Sequence, residues 1–230
     1  GLKTEEGQRL ELEAFQFTPT IVLENGVAEI ALLGPSAFQL ESATFPFIGG
    51  EIGIEPTIWR FDSDSQLLTI DARNWDLSRL LNLFELSDLD ISGVASGSFP
   101  IEIVGPDAFF RDAYLNSIEG GRIRYRGDVG ESAGSANEYS EMAFQALRNF
   151  QYEVLALGAN GNLAGNIVLD LRMSGQSPEV LDGQEFVFNI SIDSELAELV
   201  HAGSISTSVQ STQDMIIDLL QEQRETEQND

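Results

Sequence analysis

Apolar residues recur at every second position through much of this chain, the period of a strand with one dry and one wet face. Phe45 and Phe47 alternate with Thr44 and Pro46, and Ile52 and Ile54 with Glu51, Gly53 and Glu55. Phe99, Ile101 and Ile103 form a third set. Ile167, Leu169, Leu171 and Met173 face one way, while Asn166, Asp170 and Arg172 face the other. Phe186, Phe188, Ile190 and Ile192 alternate with Asn189, Ser191 and Asp193. Shorter apolar runs predict strands at Phe15 to Leu23, Val27 to Leu33, Phe38 to Leu40, Thr57 to Phe61, Leu67 to Asp71, Leu89 to Ile91 and Phe150 to Leu157. The segment from Asp112 to Ser117 is ambiguous. Asn25-Gly26 and Asn160-Gly161 accept positive φ and predict hairpin turns, as do Gly49-Gly50, Gly120-Gly121 and Asp62-Ser63-Asp64-Ser65.

The period changes in four places. Leu77, Leu80, Leu81 and Phe84 share a helical face, with Asn74 or Asp76 as cap. Tyr139 to Asn149 reads as a second helix, with Met142, Ala146 and Phe150 along one side. Ser194 is placed to cap a short helix from Glu195 to His201. Met215, Ile216, Leu219 and Leu220 predict a last one between Thr212 and Arg224. The expected organisation is a β domain over 1–206, with 127–137 as a Gly/Ser-rich mobile loop, then a helix and an acidic, fraying tail over 207–230. That helix either packs on the apolar side of the sheet, plugging it, or binds a partner.

One-sided strands leave a greasy sheet face that must be covered. A second sheet, closure into a barrel, or curling around an apolar ligand would each do so. The pattern alone favours the dry core of a sandwich. Composition adds fourteen Phe against four Tyr and two Trp, a bias toward wholly apolar surfaces. The net charge of −26, from 38 acidic and 12 basic residues, excludes the basic footprint that nucleic acid requires. It also disfavours direct adsorption to an anionic membrane.

Candidate chemistry is sparse. Without Cys there is no disulfide framework, thiol catalysis or Cys-based zinc site. His201 is the single His, and no G-x-S-x-G elbow accompanies it. Asp62, Asp64 and Asp71 do not meet the calcium-loop pattern. No catalytic residue, metal site or cofactor is expected. No apolar run reaches the length of a membrane-spanning helix. Gly1-Leu2-Lys3 does not read as a natural start, so any membrane anchor is expected upstream.

Several motifs carry a resemblance. The run from Asp71 to Leu81, with Asp76-Leu77-Ser78-Arg79-Leu80-Leu81, precedes Ser92-Gly93-Val94-Ala95-Ser96-Gly97-Ser98-Phe99-Pro100. This order resembles a segment of the AsmA/TamB-like proteins. Gly120-Gly121-Arg122-Ile123-Arg124-Tyr125, Ala146 to Tyr152, Asn160 to Leu163 and Asp182 to Ile190 resemble the C-terminal region of the YdbH branch, which has carried the label "dicarboxylate transport". The matching segments span roughly 45–193, and the acidity and the tail after 194 depart from the pattern.

The resemblance implies a mainly β fold with a few short helices: a curled antiparallel sheet, groove-like, with an apolar concave face partly covered by helices. It implies a non-enzymatic role in moving phospholipid between membranes, within a periplasmic protein anchored in the inner membrane of a Gram-negative bacterium. An outer-membrane lipoprotein would add a strand to an open sheet edge. The candidate groove residues are Phe45, Phe47, Ile52, Ile54, Phe99, Ile101, Ile103, Ile167, Leu169, Leu171, Phe186, Phe188 and Ile190. Arg111, Arg122, Arg124 and Arg126 are candidates for a lipid head group or an acidic partner, against a plain solvated strand face. The competing function is a closed β-sandwich serving as an assembly module of the envelope.

Overall fold

The computed structural model describes residues 8–16, 22–83, 88–127 and 138–195. Phe17, Ile21, Phe84, the 128–137 part of the expected loop, His201 and the expected C-terminal helix lie outside them. The described strands are β1 (Gln8–Gln16), β2 (Val22–Leu32), β3 (Ala37–Phe47), β4 (Gly50–Ile54), β5 (Thr57–Arg60), β6 (Ser65–Asp76), β7 (Leu89–Ser92), β8 (Val94–Val104), β9 (Asp107–Ser117), β10 (Gly121–Tyr125), β11 (Phe150–Asn162), β12 (Asn166–Gln176) and β13 (Glu185–Glu195). Helices α1 (Leu77–Leu83) and α2 (Glu138–Leu147) interrupt them. All thirteen strands belong to one antiparallel sheet, so the sandwich expectation is not met.

The order is simpler than thirteen strands suggests. β3 pairs with β4 along one half and with β5 along the other. β7 and β10 pair with each other as β8 and β9 do, and both β9 and β10 pair with β11. Each of these doublets acts as one interrupted ribbon, and the ribbons follow chain order as a meander. Among the described residues β1 pairs only with β2 and β13 only with β12, so the curled sheet they form is not closed.

Two corrections concern Asn-Gly. Asn25-Gly26 sits inside β2, and Asn160-Gly161 inside β11. Asn25 takes φ +56 and Gly161 φ +127, so the tolerance for positive φ serves conformation within a strand and not reversal. A Cβ on Gly26 would meet the Phe45 ring. Asn160 Oδ1 accepts the backbone N–H of Asp112 at 2.6 Å. The actual reversal after β11 comes at 163–165. Asp112–Ser117, ambiguous in sequence, lies in β9. Glu195 ends β13 instead of opening a helix.

Four strands change register where the pairing is irregular. The shifts fall between Leu40 and Ser42, between Ala72 and Trp75, between Phe110 and Ala113, and between Tyr152 and Val154. In each strand the core-facing apolar residues are then spaced by three: Leu40 and Ala43, Ala72 and Trp75, Phe110 and Ala113, Tyr152 and Leu155. Asn74 (φ +55) and Asp112 (φ +53) make two of these steps through left-handed backbone. Such bulges bend a strand and increase its twist, which suits a curling sheet.

Because ribbons alternate in direction, their connections fall on two lips. One lip gathers the Ile48-Gly49 turn, α1, α2 and the 177–184 segment. The other holds only short links among the described residues, at 33–36, 61–64, 105–106 and 163–165. α1 begins where Asp76 Oδ1 accepts the N–H of Ser78 (2.8 Å), the N–H of Arg79 (3.2 Å) and the hydroxyl of Ser78 (2.6 Å). Asp76 is thus the cap, and these bonds, the Ser78 hydroxyl foremost, hold its carboxyl below the usual range.

Candidate lipid trough

Strand register places apolar residues side by side across the sheet. Phe45 pairs with Ile52, Ile52 with Ala72, Ala72 with Gly97, and Gly97 with Leu115. Leu115 pairs with Leu157, Leu157 with Leu171, and Leu171 with Ile190. This row runs from β3 to β13 and carries no charge. One residue along each strand, Thr44, Gly53, Asp71, Ser98, Tyr114, Gly158, Asp170 and Ser191 form the corresponding row on the other face. There the Ser191 hydroxyl donates to Asp170 Oδ1 at 2.7 Å. The two faces differ in chemistry over the whole span.

The thirteen groove candidates all lie within two apolar clusters. Phe45, Ile52 and Ile101 are buried in the larger one, and Phe47, Ile54, Phe99, Ile103, Leu171, Phe186, Phe188 and Ile190 pack against it half-buried. Ile167 and Leu169 belong to a smaller cluster around Ala113 and Ala159, which Phe99 also touches. Aromatic rings link strands along this face. Phe47 meets Trp75 at 5.1 Å, Trp75 stacks on Phe99 at 5.7 Å, and Phe99 meets Phe110 at 5.9 Å. Phe150 reaches Phe188 at 5.2 Å across β12.

Sequence reasoning missed several members of this face, Trp75, Leu115, Leu157 and Phe110 among them. Trp75 is anchored by its indole Nε1, which donates to the Glu51 carbonyl at 2.9 Å. Its signal was the spacing of three in Ala72-Arg73-Asn74-Trp75, an apolar pair around two polar residues. Phe110 and Ala113 around Arg111-Asp112 repeat it.

Near α2 the same face is fully covered. Phe144 and Ala146 of the helix are buried, as are Ile123, Tyr125, Phe150 and Tyr152 beneath. The Tyr125 and Phe144 rings lie 5.9 Å apart. The Tyr152 hydroxyl donates to the Ser92 carbonyl at 2.7 Å, and burial, with Glu119 adding, pushes its pKa up.

The four arginines do not converge. Arg111 is held by Glu102 at 2.6 Å and lies over the Phe109 ring at 4.9 Å. It sits beside the end of β11 near Asn160, whereas Arg122 pairs with Gln151 at the start of that strand, roughly 30 Å away. Arg126 follows β10 and pairs with Asp90. Arg122 and Arg124 are exposed on the face opposite Ile123 and Tyr125. Arg73, by contrast, joins Glu51 at 2.7 Å and Asp71 at 3.3 Å, and the Glu51 bond foremost raises its pKa. Among the described residues, no cluster of His, Asp or Glu has metal-holding geometry, and no helix is long and apolar enough to cross a membrane.

An unclosed, curled antiparallel sheet with an uncharged apolar row across one face defines an open β-sheet protein. The chain belongs to the YdbH-like family, described as intermembrane phospholipid transport protein YdbH, which matches residues 1–213. Phospholipid transport is therefore the family's business, a lipid-transfer role. No curated protein and no solved structure matches the chain.

Proposed function

We propose that the apolar face shields phospholipid acyl chains on their way between the two membranes of a Gram-negative envelope. The uncharged row from Phe45 to Ile190, in a sheet that does not close, is the observation that supports this reading most directly. Exposing acyl chains to water costs about 0.8 kcal/mol per methylene, so two ordinary chains cost on the order of 20 kcal/mol. A continuous apolar wall removes most of that barrier and needs no reacting group. The half-buried members, Phe47, Ile54, Phe99, Ile103, Leu171, Phe186, Phe188 and Ile190, contact the chains, while the buried ones support them.

In this reading the protein works in the periplasm, with an inner-membrane anchor upstream. The outer edge of β13 accepts a strand from an outer-membrane lipoprotein. Arg122 and Arg124, facing away from the trough, suit an acidic stretch of a partner better than a head group.

The test is native mass spectrometry of the gently purified chain, joined to uptake of a fluorescent phospholipid. Co-purifying phospholipid, and uptake abolished by Phe99→Asp with Leu171→Asp, is expected. A lipid-free chain that takes up none would overturn the reading.

A further inference from the structure

The apolar columns of the trough face end differently at the two lips. Toward the helix lip they run under cover: Phe144 of α2 is buried, as are Trp75 and Leu77 where β6 enters α1. Toward the other lip, which carries no helix among the described residues, β3 presents Phe45, Ala43, Leu40 and then Phe38. Phe38 pairs with Leu32 on one side and with Trp59 on the other. The Trp59 and Phe38 rings stack at 6.4 Å, and Phe61, in the 61–64 link, meets Phe38 at 5.9 Å. The Phe61 N–H donates to the Ser36 carbonyl at 2.9 Å, which ties two of the lip's links together. Yet Phe61 is 67% exposed and Leu32 42%. An aromatic corner held in place but left uncovered marks an interaction site.

We infer that the helix-free lip is the mouth of the trough, where phospholipid acyl chains enter and leave, and that Phe38, Trp59 and Phe61 are the side chains they meet first. The inference rests on the trough reading above, and the family match supplies the ligand. A chain entering at Phe38 follows apolar side chains for about 20 Å along β3 before it reaches the uncharged row at Phe45. The corner is also built to give. β5 pairs with β3, whereas toward β6 it is held by side chains: the Thr57 hydroxyl donates to the Leu67 carbonyl at 3.2 Å, and Gln66 Nε2 to the Arg60 carbonyl at 2.7 Å. These bonds part without breaking a backbone ladder, so the corner widens at small cost. Asp62 and Asp64 in the same link keep the lip from settling on an anionic surface, so the mouth takes chains in brief encounters with a bilayer.

The chain has two Trp, Trp59 at the mouth and Trp75 inside the trough, so each can be read alone. The full chain carrying Trp75→Phe, or Trp59→Phe, is mixed with phosphatidylcholine vesicles whose acyl chains are dibrominated, and Trp fluorescence is followed in time. Quenching of both is expected, that of Trp59 no later than that of Trp75. Quenching of Trp75 without Trp59, or ahead of it, overturns the mouth and leaves the trough reading standing. No quenching of Trp75 overturns the trough reading, and the mouth with it. A second variant tests the mouth by rate. Leu32→Asp with Phe61→Asp, at two exposed positions, is expected to slow uptake of a fluorescent phospholipid about tenfold and leave the amount at saturation unchanged, since carboxylates bar the mouth without touching the trough. Val187→Asp, exposed on the polar face of β13, is expected to change neither. Loading of the Leu32→Asp, Phe61→Asp chain as fast as the unaltered one overturns the inference.

Discussion

The α2 corner and the stretch from β8 to β13 use the same apolar chemistry to different ends. At the corner, Phe144 is 1% exposed and Phe150 0%, with Tyr125 and Tyr152 sealed between helix and sheet. Across β12 and β13, Leu171, Phe186, Phe188 and Ile190 remain half-buried although they belong to the same cluster. A helix laid on the sheet completes a core in the first region. In the second, the sheet leaves its hydrocarbon half-covered among the described residues. In the proposed reading, burial completeness and not residue type separates the part that stabilises the fold from the part that meets lipid.

The largest test of this contrast is a matched pair of truncations. Phe150→Ala is expected to cost about 3–5 kcal/mol, since it opens a cavity in a closed site. Phe188→Ala, its edge-on neighbour, should cost less, about 1–2 kcal/mol, because its side chain is only partly buried and leaves no closed cavity. Urea denaturation of both variants measures the gap, and equal losses would erase the distinction. Tyr152→Phe comes next, at about 1 kcal/mol, since it removes the part-buried hydrogen bond from the Tyr152 hydroxyl to the Ser92 carbonyl.

A smaller effect belongs to the lip. Asp76→Ala removes the α1 cap and is expected to cost about 1 kcal/mol by the same assay. The Asp76 carboxyl titrates lower when folded than when unfolded. Its stabilisation is therefore complete above the ordinary carboxylate range and fades as pH falls through the lower folded value. Asp76→Asn should keep most of the cap yet flatten that loss in acid, which thermal melts between about pH 2 and 5 would reveal. The smallest change is expected from Arg73→Gln on the polar face. Arg73 and Glu51 are both well exposed, so the loss should stay within about 1 kcal/mol and shrink with added salt.

The one-sided strands were legible because alternation is a direct record of burial. Phe186, Phe188 and Ile190 on β13 and Ile167, Leu169 and Leu171 on β12 lie where period two puts them. Alternation also hid what curls the sheet. At Arg73-Asn74 and Arg111-Asp112 the strand spends an extra residue, so Trp75 and Ala113 return to the apolar face out of phase. Asn-Gly misled twice, since the positive φ that closes a hairpin also serves inside β2 and β11. The arginines looked clustered because Arg111 precedes Arg122 closely in sequence. β9 and β10 extend along different ends of β11 and carry them apart. Which lip the helices cover depends on the alternating direction of ten ribbons, which no local pattern contains.

In the proposed reading, hydrocarbon occupies one face of the sheet and not the other. Photo-crosslinking reads this directly, with p-benzoylphenylalanine placed singly at Leu157, Leu171 and Ile190 on the apolar row and at Tyr114, Asp170 and Ser191 on the polar row. In the presence of phospholipid vesicles, adducts of lipid mass are expected at the first three positions and not at the last three. Equal labelling of both rows, or labelling of neither, would rule out an apolar face that carries lipid.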